Sequence, residues 1–106
     1  MSGSRIITTD DERLDNVHPG DILREDFLIG SEISVAEVAE GSGLDATLIE
    51  HLIANRRDID AAIDVRLARY FGMSEGFFLA LQNDYDLEEV LRREGAELDR
   101  IVPRAA

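Results

Sequence analysis

The sequence predicts an all-α domain of five helices. Three observations carry this. Apolar residues recur three and four apart along most of the middle of the chain. No stretch alternates apolar and polar residues with period two, so no substantial sheet is expected. Glycines and capping residues punctuate the pattern at short intervals, as turns between short helices require. The organisation read from this is a flexible arm over 1–16, a helical domain over 17–87 and a charged helical extension over 88–106.

The first helix is expected to start at Pro19, where a missing N–H costs nothing. Leu23 and Phe27, four apart, share its buried face, and Gly30 or Ser31 ends it. The second begins at SVAE, residues 34–37, where Ser34 caps and Glu37 reaches back as a capping box. Val35, Val38 and Ala39 form its apolar stripe, and GSG at 41–43 stops it. Asp45 is placed to cap the third, with Ile49, Leu52 and Ile53 inward and an end near Asn55. Leu48 falls outside that stripe. Asp60 caps the fourth, which buries Ile63, Leu67, Ala68 and Phe71 and stops at Gly72. Ser74 is expected to cap the fifth, SEGFFLALQNDYDL, which frays towards Val102–Pro103.

Two short helices joined by a glycine-bearing turn make a helix-turn-helix arrangement. Its second member, residues 45–54, is the one offered to a DNA major groove. The stretch that follows, HLIANRRDI at 51–59, supplies a His, an Asn and two adjacent arginines, as a DNA-contacting segment does. The charge balance opposes this. Acids number 23 against 11 basic residues, for a net charge of −12, and every basic residue is arginine. Residues 1–33 hold eight acids and three arginines, 34–58 five and two, and 59–106 ten and six. No segment is net basic, so the long-range field disfavours nucleic acid and favours a basic protein partner, or serves solubility alone.

Other chemistries find little support. No cysteine is present, which excludes disulfides and thiolate metal sites and fits a cytoplasmic protein. No apolar run approaches a membrane span, and the first residues lack a signal-peptide apolar core. His18 and His51 stand without a ligand cluster, so no metal is expected. Asp84, Asp86, Glu88 and Glu89 lack the turn glycine and distant glutamate of a calcium loop. No nucleophile, phosphate loop or paired-carboxylate pocket stands out, so neither an enzyme nor a cofactor is expected.

Three blocks resemble one family. HPGDILREDFL at 18–28 resembles the HPGEILREEFL opening of the HigA-type antitoxins, also called the VapI family. SVAEVAEGSGLDATLIEHLIANRRDI at 34–59 resembles their helix-turn-helix, and SEGFFLALQNDYDL at 74–87 their SPEFWLNLQNxYDL block. The resemblance spans about residues 17–87, with the blocks in the family's order. It implies a five-helix Cro/lambda-repressor-like domain, a homodimer, binding to an operator in its own promoter, and neutralisation of a co-encoded, basic, mRNA-cleaving HigB-type toxin. The alternatives are a stand-alone regulator without a toxin, or an acidic protein-binding antitoxin that has lost DNA binding.

On this resemblance the DNA-contacting residues are Ser34, Thr47, Glu50, His51, Asn55, Arg56 and Arg57. Arg56 and Arg57 suit phosphates, with a surface ion pair to Asp58 or Asp60 as the alternative. Thr47 and His51 are donors. Glu50 departs from the family's basic or hydroxyl residues, though a carboxylate can accept from cytosine N4. Leu48 can touch a thymine methyl or pack on protein. Phe77, Phe78, Leu81 and Tyr85 read as core or as dimer interface, and the resemblance assigns their block to packing and dimerisation.

Overall fold

The computed structural model describes residues 14–105. Helix α1 (Pro19–Ile22) runs directly into a π-helical stretch (Leu23–Ile29). Then follow α2 (Val35–Ser42), α3 (Ala46–Ile53), α4 (Ala61–Phe71) and α5 (Phe77–Leu98). These are the five expected helices in the expected order, with no strand among the described residues. One apolar core takes Leu23 and Leu28 from the first helix, Val38 from α2, Ile49 and Leu52 from α3, and Ile59 from the following loop. Ile63, Leu67 and Ala68 of α4 and Phe78 of α5 complete it.

The first helix starts as predicted, with Pro19 in its first turn and His18 as cap, its Nδ1 accepting from the Gly20 N–H at 3.0 Å. Beyond Ile22 it departs from expectation by widening into a π-helix, shown by the Gly30 N–H donating to the Glu25 carbonyl at 2.9 Å. With each hydrogen bond spanning five residues, side chains five apart come round to the same side. Leu23 and Leu28 therefore both face the core, which the predicted α-helical pairing of Leu23 with Phe27 did not require.

The capping box of α2 forms as read from SVAE: Ser34 Oγ accepts from Glu37 N–H, and Glu37 Oε1 accepts from Ser34 N–H. Gly43, left-handed at φ 79°, closes the helix. Arg66 from α4 donates to the Ser42 carbonyl at 3.0 Å, placing a cation at the negative end of α2. Asp45 stands at the cap position of α3, but its side chain makes no capping hydrogen bond. Asp60 caps α4 as expected, accepting from Ile63 N–H at 2.9 Å.

The start of α5 corrects the sequence reading. Ser74 gives only its backbone carbonyl, to the Phe77 N–H. The cap is Gly76, at φ 98°, which has no side chain to offer. Its place is taken by Asp64, a residue of α4 only 2% exposed. Asp64 accepts from Gly76 N–H at 2.6 Å and from Leu79 N–H at 2.9 Å. A carboxylate at a helix N-terminus is favoured by the dipole, and its buried charge is matched by two backbone donors. From there α5 runs unbroken through residue 88, so the charged extension expected from that point is the second half of the same helix. The arm expected over 1–16 lies outside the described residues as far as residue 13. Asn16 is held against α5, donating to the Tyr85 carbonyl at 2.9 Å.

A polar clamp joins the first helix to the end of α3. Arg24 Nη1 donates to the Ile53 carbonyl at 2.7 Å, and Nη2 to Asp21 Oδ1 at 2.9 Å. Asn55 Nδ2 donates to the same Asp21 oxygen at 3.0 Å. Gly20 permits the approach, since a Cβ there would collide with the Leu52 carbonyl and the Asn55 amide oxygen. Asp21 is held below its ordinary 3.8, chiefly by the hydrogen bond from Asn55. Partial burial opposes this, and Arg24 supports it by hydrogen bond and charge.

Two outcomes are expected. Asp64→Ala strands two backbone donors and should destabilise the fold by about 2–4 kcal/mol, with Asp64→Asn costing roughly half as much, read from urea unfolding. The second concerns pH. A carboxylate held below its unfolded value stabilises the fold above that value and loses the contribution as pH falls through its folded value. Asp21→Asn should therefore lower Tm at neutral pH, and the gap from wild type should close below pH 3.8. Thermal unfolding followed by circular dichroism across that range checks it.

Candidate nucleic-acid interface

Helix α3 has two faces with different fates. Ile49 and Leu52 are sealed in the core, and Leu48 and Ile53 pack half-buried at its edge. Leu48 is thus a core-edge residue rather than a free contact. The opposite face is exposed and carries Thr47, Glu50 and His51. None of these three side chains makes a hydrogen bond or ion pair among the described residues.

The other predicted contacts stand in different situations. Ser34 is exposed at the start of α2, where its Oγ accepts from Glu37 N–H. Glu37 beside it is held below the usual carboxylate range, first by the Ser34 backbone N–H and then by the Ser34 hydroxyl. Asn55 sits in the left-handed region at φ 62°, and its side-chain amide is committed to Asp21. A left-handed non-glycine residue is uncommon and favours Asn, so Asn55 has a structural reason for its identity. Arg57 lies 3.4 Å from Asp60, a surface pair with both side chains about half exposed. Such a pair contributes little and exchanges readily for a stronger anion. Arg56 is exposed and makes no side-chain hydrogen bond or ion pair among the described residues.

The loop that carries both arginines is anchored by a residue the sequence reading passed over. Gln82 of α5 is 3% exposed, and its Oε1 accepts from Ile59 N–H at 2.8 Å. Its Nε2 donates to Asp86 at 3.0 Å. Gln82 lies four residues after Phe78 on the buried face of α5, and a polar residue at an apolar register position was the available signal. Arg24 and Asp21 were missed for another reason: their partners, Ile53 and Asn55, are about thirty residues distant in sequence.

The four residues expected at a dimer interface separate. Phe78 is 0% exposed, which corrects that assignment: it has no surface to present to a second copy. It packs edge-on to Phe77 and contacts Phe27, with ring centroids 5.1 and 5.0 Å apart. Phe77 and Leu81 are half-buried against the same core. Tyr85 is half-buried, with its ring 4.6 Å from that of His18. Its phenol is pushed up by burial first and then by the carboxylates of Glu89, Asp86, Asp58 and Asp21. The side of α5 left open carries Leu87 and Leu91, 62% and 56% exposed and one turn apart. No described helix is long and apolar enough to cross a membrane.

No family model matches the chain. It is 31% identical over 87 residues to virulence-associated protein I of Dichelobacter nodosus, covering 82% of this chain and 80% of that protein. Over 85 residues it is 35% identical to the HTH-type transcriptional regulator YbaQ of Escherichia coli K12, covering 78% and 75%. Two solved structures from Pseudomonas aeruginosa are similar at 33% identity over the whole of their chains. The antitoxin HigA with the higBA promoter superposes on 86% of this chain with a TM-score of 0.77. A protein in complex with its 18-base-pair operator DNA superposes on 89% with a TM-score of 0.80. By their names these relatives include an antitoxin and a transcriptional regulator. The chain belongs to the HigA-type antitoxins, within the XRE-type helix-turn-helix regulators.

Proposed function

We propose that this protein is an autoregulating antitoxin. It binds, as a homodimer, an operator in its own promoter, and it neutralises a basic, mRNA-cleaving HigB-type toxin in the cytoplasm. The observation that carries the DNA half is the exposed face of α3, where Thr47, Glu50 and His51 have no partner within the described chain. The two similar structures with promoter or operator DNA support it. Thr47, Glu50 and His51 read base edges, Arg56 and Arg57 take backbone phosphates, and Ser34 donates its hydroxyl to a phosphate. Asn55 acts through Asp21 to hold the end of α3 in place.

Binding two half-sites needs two reading helices, so a second copy must dock. The exposed pair Leu87 and Leu91 on α5 supplies the contact. The toxin half rests on charge. Asp21, Asp58, Asp86 and Glu89 gather around Tyr85 on a chain of net charge −12, a field suited to speeding encounter with a basic protein.

Two experiments test this reading. Arg56→Ala with Arg57→Ala should weaken binding to every DNA sequence by about ten-fold and reduce the slope of log K against log salt by about 1–2. Fluorescence anisotropy on the upstream promoter fragment and a scrambled control measures both, and unchanged affinity removes the arginines from the interface. Leu91→Glu should convert the dimer to a monomer in light scattering and abolish tight operator binding. A wild-type chain that is monomeric at micromolar concentration would overturn the dimer.

A further inference from the structure

We propose that Glu50 sets base specificity by accepting a hydrogen bond from the N4 amino group of a cytosine, so that each operator half-site carries a C·G pair opposite it. This rests on the operator-binding reading above. The fold itself gives Glu50 no reason to be acidic. Its side chain is exposed and makes no hydrogen bond or ion pair among the described residues. It sits in the second half of an eight-residue helix, where the dipole disfavours a carboxylate. The nearby arginines do not neutralise it: Arg57 pairs with Asp60, and Arg56 makes no side-chain bond among the described residues.

Its position, however, is well determined. Thr47 is one turn before it and His51 directly after it, on a helix whose other side is fixed by fully buried Ile49 and Leu52. A carboxylate entering a groove lined with phosphates is unfavourable unless it meets a donor. Among major-groove edges, guanine offers two acceptors and thymine one, so both repel it. Adenine sets its donor beside the N7 acceptor, whereas cytosine offers the N4 donor alone. Glu50 therefore selects by attraction to cytosine and by repulsion from the other edges. The same negative charge weakens attachment to unrelated DNA, which raises the ratio of specific to non-specific binding in a protein with few cations.

The test uses the full chain, wild type and Glu50→Gln, against its upstream promoter fragment with each half-site base pair substituted in turn. Wild type should lose about ten-fold or more in affinity when one C·G pair in each half-site becomes T·A. Glu50→Gln should move the preference at that pair to A·T, since glutamine bonds adenine N6 and N7, and leave the other positions as they were. Equal Tm values establish that both proteins are folded. An identical base-preference profile for the two proteins overturns the role of Glu50. A wild-type profile with no sequence preference overturns the operator reading itself, so the two failures are told apart.

Discussion

The presentation of the candidate reading face depends on how α3 is held at its C-terminal end. A helix of eight residues is too short to persist on its own. Ile49 and Leu52 attach it to the core by burial, but burial is not directional and would tolerate rotation or sliding. Direction comes from hydrogen bonds at the last turn. Arg24 meets the Ile53 carbonyl, and Asn55 is tied to Asp21, with Gly20 allowing the backbones to approach. Gln82 then fixes the exit of the loop at Ile59. A face of three exposed side chains is thus mounted on a frame that is fastened from two other helices.

This frame also bears on how an acidic chain can meet DNA. Net charge governs approach, but contact is governed by the charges within about 8–10 Å, because salt screens the rest. The acids that raise the Tyr85 phenol lie around the junction of the first helix and α5. At the outer face of α3 the local inventory is more balanced: Glu50, a histidine and a hydroxyl, then Arg56 and Arg57 with Asp58 and Asp60 beside them. One chain can therefore carry an acidic surface for a basic partner and a short contact set for phosphate without either requiring a net basic domain.

The helices were legible because their signals are local. The capping box at Ser34, the proline start at Pro19 and the glycine stops at Gly43 and Gly72 are decided within one turn of chain, and each formed where the residues placed it. What escaped the sequence is non-local. Asp64 reads as one more acid on a helix face, yet it is the buried cap of α5, twelve and fifteen residues away. Ser74 was the better local candidate and lost to it, because Gly76 turns the chain so that its N–H faces α4. The same limit applies to the candidate site. Thr47, Glu50, His51 and Arg56 are exposed and have no partner among the described residues, a state set by their surroundings as much as by their own chemistry. Asn55 carries a donor amide like any DNA-contacting asparagine, and only the position of Asp21 reveals that it is occupied. Phe78 and Phe77 are adjacent and chemically identical, and the rotation of α5 alone sends one fully inside.

Helix α5 links the two halves of the proposed activity. At 22 residues it is about 33 Å long, close to the spacing of successive major grooves on one side of a duplex. Its first half is locked to the domain by Asp64 and by Gln82, which holds the loop carrying Arg56 and Arg57. Its second half leaves Leu87 and Leu91 open. A second copy docking there would set the separation and angle of the two α3 helices through one rigid rod, with Gln82 as the joint. Any partner that shifts α5 as a whole at that contact, a bound toxin included, would move the reading helices against each other. Two half-sites of fixed spacing cannot follow such a movement, so a contact far from α3 would change operator affinity without touching a base.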